Sequence, residues 1–259
     1  MAINVRRYAG FCLIALAVFC AVFADVIAPY DPTRSSVNFL GAPSAAHLLG
    51  TDELGRDVLS RLIHGARTSL VIGFGAAVIG MAIGVPVGLT AGYVRGRVDI
   101  AAVMLIDLFV ALPGLVLALV ITVMIGSSLQ NLALVLGFVM WPGVARLTRG
   151  QVLAVREATF IEAARAVGGT PAWIIARHVW PNIMRVVAAQ FAVSVSFAIF
   201  TSSSLSFLGL GIPPPTPDWG GMVRTGYDFL VLNPLMSLGP GAAVGLTVMG
   251  FYLVGSSVE

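Results

Sequence analysis

The chain has 259 residues, of which 58% are hydrophobic and 10% charged, against about 25% charged in an ordinary soluble domain. Its 15 basic residues are all arginine and balance 12 acids to a formal net charge of +3. That excludes a soluble domain of ordinary make-up. The lack of lysine also excludes the G-x-x-x-x-G-K-[ST] loop, whose lysine reaches the terminal phosphates of ATP, so any such engine must sit on another polypeptide.

Windows of about 19 residues predict six membrane spans in a single all-α domain covering 1–259, near 8–28, 68–92, 101–126, 129–146, 183–205 and 235–255. In the first, Arg6 and Arg7 precede an apolar run longer than a secretory-signal core, which favours an uncleaved span. Cys12 and Cys20 fall inside it and are expected to pack as small hydrophobes.

A segment with Pro29, Pro32 and Pro43 follows, and then the run Thr51 to Gly65. Here Leu54, Val58, Leu59, Leu62 and Ile63 recur at helical spacing, with Glu53, Arg56, Asp57 and Arg61 largely on the other side. The pattern predicts an amphipathic helix lying flat on the outer surface, with Asp57 and Arg61 paired four residues apart.

The second span carries Gly80, Gly84, Gly88 and Gly92, a flat ridge on one helix face where another backbone can approach closely. Pro86 within it and Pro113 in the third span mark expected bends. Asp107 is an acid well inside the third span, where a charge in hydrocarbon costs at least about 2.5 kcal/mol. It is either a pathway or ion-coupling residue or a carboxylate paired with Arg95, Arg97 or a backbone donor.

Between the fourth and fifth spans lies the polar loop 157–181. Thr159 and Glu162 have the T-x-x-E spacing of a capping box, which predicts a helix from Phe160 to Val167 stopped by Gly168 and Gly169. Thr170 as N-cap and Pro171 at the first helical position predict a second helix to about Val179, ended by Pro181. The two form a compact projection, with Ala163, Ala164 and Gly168 giving a surface small enough to seat in a groove. Glu162 either closes the capping box or reaches an arginine on a partner.

The proline- and glycine-rich stretch 208–221 interrupts the helical pattern, and Trp219 within it suits a membrane interface. His47, His64 and His178 form no H-E-x-x-H pattern, so no metal site is expected. No nucleophile, base and orienting residue gather in one motif, which speaks against a membrane enzyme. With a cytoplasmic N-terminus, 10 of the 15 arginines fall on the cytoplasmic side, and the opposite side holds seven acids against five arginines. This positive-inside bias predicts both termini in the cytoplasm.

The E-A-A, three residues, Gly, nine residues, segment ending in Pro pattern resembles the signature loop of binding-protein-dependent ABC importer permeases, matched by Glu162, Ala163, Ala164, Gly168 and Pro181. His178 stands where that family usually has isoleucine, and Trp180 where it usually has leucine. The segments LGTDELGRDVLSRLIHGARTSL (49–70), AGYVRGRVD (91–99), ARLTRGQVL (145–153) and LSFLGLGIPPPTPDWG (205–220) resemble the C-type subunit of dipeptide, oligopeptide and nickel permeases. That likeness implies a multi-pass permease of the bacterial cytoplasmic membrane, paired as a heterodimer with a B-type permease subunit. It further implies two ABC ATPase subunits that carry ATP and Mg, an extracytoplasmic binding protein, no cofactor on this chain and no nucleic-acid partner.

By the same likeness, Glu162, Ala163, Ala164, Arg165, Gly168, His178 and Pro181 couple the permease to the ATPases, whose ATP cycle rocks the spans between outward and inward openings. Branch likeness points to di- or oligopeptides as cargo, with nickel or another small solute such as glutathione as the alternative. An ion-coupled secondary transporter is the distant alternative and would need no such loop. TSSS at 201–204 departs from the acid that the family commonly places before L-S-F-L-G, and GSSVE at 255–259 lacks the charged tail usual there.

Overall fold

The computed structural model describes residues 2–258. Helix α1 (Ala2–Val22) is followed, after Phe23, by the single turn α2 (Ala24–Ile27). Next come α3 (Val58–Val94), α4 (Gly96–Val110), α5 (Gly114–Ile125) and α6 (Leu129–Arg156). The short α7 (Thr159–Ala166) and α8 (Pro171–Ile174) lead through a widened turn at Ile175–Val179 into α9 (Trp180–Leu205). A second widened turn at Ser206–Leu210, then α10 (Trp219–Tyr227) and α11 (Leu235–Gly255), complete the fold. Among the described residues there is no strand, only one isolated bridge between Thr51 and Asp57.

Five stretches are long and apolar enough to cross a membrane, namely Val5–Val22, α3, α6, Pro171–Leu210 and α11. The pair α4 and α5, bent by 80°, makes a sixth if counted as one span. Pro113 sits at that bend, whereas α3 runs unbroken through Pro86. The apolar run 8–28 is not one helix either. It breaks at Phe23 because Asp25 is drawn to α3, where Arg67 Nη2 donates to its carboxylate at 2.9 Å and His64 Nε2 lies 3.2 Å away.

Helix α3 is the axis of the bundle and packs most extensively on α6, then on α9 and α1, with α11 against α9, α1 and α10. The glycine ridge explains the first contact. A Cβ on Gly84 would stand 2.6 Å from the Trp141 carbonyl oxygen, one on Gly88 2.6 Å from that of Ala145, and one on Gly92 2.8 Å from Val152 Cβ. Small residues at that spacing let the two backbones approach and gain dispersion contacts that lipid cannot replace.

At 37 residues α3 is about 55 Å long, well beyond an apolar core of about 30 Å. The excess corrects the reading of Thr51 to Gly65 as a separate helix lying flat on the membrane. Residues 51–57 are a turn, and from Val58 onward the chain is already the first part of α3. Asp57 caps this helix by accepting from Ser60 N and Ser60 Oγ at 2.8 and 2.7 Å, and its other oxygen faces His47 Nδ1 at 2.8 Å.

Of the side chains read as a solvent face, Arg56, Asp57 and Arg61 are buried and Glu53 partly so, and the neighbouring Asp52 is buried as well. Arg56 Nε donates to Asp52 at 2.7 Å and its Nη2 to Glu53 at 3.0 Å, while Arg61 pairs with Asp52 rather than with Asp57. Two buried arginines need such partners, because an unpaired charge shielded from water is strongly unfavourable.

Candidate functional site

The projection predicted between the fourth and fifth spans sits at the C-terminal ends of α3 and α6, at the far end of the bundle from the 47–61 network. Its first helix starts one residue earlier than the capping box implies. Thr159 is already helical, the N-cap is Ala158 and no side chain caps it, which removes the capping role from Glu162. The stop is as the glycines imply. Gly168 adopts φ +84, and Gly168 N and Gly169 N donate to the carbonyls of Arg165 and Ala164, both at 3.0 Å. That left-handed turn satisfies the last carbonyls of α7 and is a conformation that favours glycine. Thr170 Oγ1 then accepts from Trp173 N, and Pro171 occupies the first turn of α8.

Pro181 does not end the second helix. It lies in the first turn of α9, where its missing N–H would have no intrahelical partner in any case, and α8 passes into α9 through the widened turn. The projection is thus continuous with a membrane-crossing helix.

Its inner face is apolar and closed. Ile161, Ile174, Val179 and Ile183 are buried in a cluster with Val85 and Tyr93 of α3 and with Val144 and Val152 of α6. At about 25 cal/mol per Å² of apolar surface, such side chains each contribute about 1.5–3 kcal/mol relative to exposure, enough to hold the projection as one body with the bundle end. Tyr93 anchors the corner, with the guanidinium of Arg165 5.5 Å and that of Arg156 5.9 Å from its ring centroid. The sequence reading missed this tyrosine, because the arginines that reach it, Arg156 and Arg165, lie far from it along the chain.

The predicted coupling residues therefore separate. Glu162, Ala163, Arg165, Gly168 and Pro181 are exposed, and Glu162 has no ion pair or hydrogen bond with its side chain among the described residues. Ala164 is the exception. Only 7% exposed, it faces the bundle and is not part of a seating surface. His178 is half-buried behind Trp173, ring centroids 4.9 Å apart, and its carbonyl accepts from Asn182 Nδ2 at 2.6 Å. The outward face also presents Val167, 83% exposed, and half-exposed Trp173 and Phe160.

Charged pairs tie the neighbouring helices at this end. Arg149 of α6 grips Asp99 of α4 with two parallel bonds of 2.5 and 2.8 Å, and Arg95 donates to Glu157 at 2.8 Å. Asp107 pairs with neither Arg95 nor Arg97. Its Oδ1 accepts from Arg146 Nη2 at 2.6 Å, and both side chains are more than half exposed. A groove of about 340 Å³ runs between the α4–α5 bend, α6 and α9, lined by Phe109, Gly114, Met140, Gln190, Ser194 and Phe197, and Asp107 does not line it.

At the opposite end, Thr201, Ser202 and Ser203 are buried and close-packed, with the Ser203 backbone against Gly220 of α10. Trp219 is buried as well and donates from Nε1 to the Leu62 carbonyl at 2.8 Å, so it is a strut between α10 and α3 rather than an interface anchor.

A helical bundle with several membrane-length helices and a packed terminal projection defines a multi-pass membrane protein. Residues 84–258 match the family of binding-protein-dependent transport system inner membrane components, and the chain belongs to that family, the permease subunits of ABC importers. Among curated proteins it is 38% identical over 263 residues to the di/tripeptide transport system permease protein DppC of Pseudomonas aeruginosa, covering 99% of this chain and 87% of that one. It is 36% identical over 248 residues to the glutathione transport system permease protein GsiD of Pectobacterium atrosepticum, covering 95% and 82%. The fold is similar to that of the MetNI methionine ABC transporter in an inward-facing conformation, with TM-score 0.60, 19% identity, and coverage of 77% of this chain and 96% of that chain.

Proposed function

We propose that this chain is the C-type permease subunit of an importer for short peptides, di- or oligopeptides and glutathione-like compounds, paired with a B-type subunit as a heterodimer. Two ATPase subunits bind ATP and Mg and dock on the α7–α8 projection from the cytoplasm, where both termini also lie. An extracytoplasmic binding protein delivers cargo at the other end. This chain carries no ATPase site and no cofactor of its own. The names of the DppC and GsiD relatives support the cargo class, and the arginine-rich end supports the orientation.

The observation that carries the reading is a projection locked on its inner face and free on its outer face. Glu162 and Ala163 point away from a sealed apolar cluster on a helix pair continuous with α9. A partner that shifts the projection therefore tilts a membrane helix rather than bending a loop.

The test is site-directed cross-linking in the assembled transporter, with Cys12 and Cys20 replaced by alanine. A cysteine at Ala163 is expected to cross-link to an ATPase subunit, and one at Val37, 93% exposed at the opposite end, is not. No adduct at Ala163 with the ATPases bound overturns the docking assignment. Uptake that survives inactive ATPases while the proton gradient is intact overturns the importer mechanism.

A further inference from the structure

At the α3 N-terminal end, opposite the projection, the turn 52–57, the second widened turn, the proline-rich segment and α10 line a half-open chamber of about 420 Å³. That is within the range of about 300–1,000 Å³ typical of sites for small ligands. Most charges on its wall are matched inside the protein. Arg56 lies between Asp52 and Glu53 Oε1, and Arg61 is held by Asp52 and by the carbonyls of Pro32 and Pro215. Asp218 caps α10 through Gly221 N at 3.0 Å.

Two groups are left over. Glu53 Oε2 is shielded from solvent without a donor. Arg224, itself an exposed residue, lines the same chamber at its mouth side over Gly209, with no ion pair to its guanidinium among the described residues.

A shielded carboxylate oxygen without a donor is unfavourable until something donates to it, and an ammonium with three donors does so compactly. A guanidinium fork without a partner matches a carboxylate with two parallel bonds. One free anionic oxygen and one free cation on a single wall select against a simple cation, which Arg224 repels, and against a simple anion, which Glu53 repels.

We propose that this chamber is a subsite for a small zwitterion, the free termini of a short peptide, with Glu53 receiving the α-ammonium and Arg224 the α-carboxylate. The proposal rests on the peptide reading above and adds that this permease itself inspects both ends of its cargo before the membrane is crossed.

The test uses the complete permease–ATPase complex in lipid nanodiscs, without binding protein, and radiolabelled L-alanyl-L-alanine as the probe. N-acetyl-L-alanyl-L-alanine and L-alanyl-L-alaninamide are expected to compete at least about tenfold more weakly than the unblocked dipeptide, as the loss of one charged hydrogen bond requires. Glu53→Gln removes the penalty for the acetylated compound only, and Arg224→Ala that for the amide only. Arg34→Ala, an exposed arginine at the same end that does not line the chamber, keeps the wild-type pattern, and gel filtration confirms that each variant complex is assembled.

Equal competition by blocked and unblocked dipeptides overturns the proposal, as does absence of dipeptide binding. So do variants that weaken binding-protein attachment while leaving dipeptide binding unchanged, since the chamber is then a protein seat. If ATPase-dependent peptide uptake persists in cells despite any of these, the peptide reading stands and the subsite alone falls. If the complete transporter takes up no peptide, the peptide reading falls with it.

Discussion

Gly84 of α3 lies so close to Trp141 of α6 that a methyl group on the glycine would sit 2.6 Å from the tryptophan carbonyl oxygen and 2.7 Å from Val144 Cβ. The backbone of one helix serves as the packing surface of the other, so side-chain volume cannot be added without separating them. Gly84→Leu is expected to lower stability by about 1–3 kcal/mol, the usual cost of overpacking, read as a lower melting temperature of the detergent-purified protein. Gly143→Ala, with nothing within 4 Å of the new methyl, is the control and should melt as the parent does.

The Asp99–Arg149 pair makes the α4–α6 seam depend on geometry as well as charge. Arg149→Lys keeps the charge and loses the two-pronged contact. A double-mutant cycle with Asp99→Asn and Arg149→Lys should return a coupling of about 0.5–3 kcal/mol. A value near zero would mean that the pair only occupies the seam.

Adjacent alanines on α7 should behave as opposites. Ala164→Trp overfills the sealed cluster around Ile161 and Ile174, so the protein should melt earlier or fail to accumulate in membranes. Ala163→Trp, on the outer face, should leave melting unchanged and abolish ATPase association and uptake. Glu162→Gln divides the possibilities further. With no capping bond to lose, any fall in uptake reports a partner-facing charge. Comparable melting losses in both tryptophan variants would refute this division of faces.

Two carboxyls should give opposite pH signatures. Burial pushes the Asp218 carboxyl above the ordinary value of 3.8, against smaller lowering contributions from Ser206 and from its backbone hydrogen bonds. Its folded pKa exceeds the unfolded one, so its contribution to stability is fully present below 3.8 and is lost as pH rises through the raised value. Asp218→Asn, which retains a capping oxygen, should therefore melt higher than the parent at neutral pH and lose that advantage as pH approaches 3.8.

Asp25 is held below 3.8, first by its hydrogen bond from Arg67 and then by His64. Its stabilisation is present above 3.8 and lost as pH falls through the depressed value. Asp25→Asn should melt lower than the parent at neutral pH, with the gap closing in acid. Parallel pH curves for the two variants would contradict both environments.

Much of this protein is local and so was legible in the chain. Apolar runs must form helices in lipid because no water satisfies their backbone groups, which fixes α3, α6, α9 and α11 near their predicted places. The Gly80 to Gly92 spacing marks a close-approach face without naming what approaches, and Gly168, Thr170 and Pro171 carry their turn and cap in their own residue chemistry.

What only the tertiary structure decided is direction and partnership. The run around Arg56 and Arg61 has the period of a surface helix, yet its charges turn inward, because Asp52 and Glu53 satisfy them in a turn that no periodicity describes. Ala163 and Ala164 are identical letters, and only the cluster around Ile161 assigns one to the exposed side and the other to the bundle. Periodicity reports how residues repeat along a helix. Which face meets protein depends on contacts between segments distant in the chain, and those energies exist only once the bundle has closed.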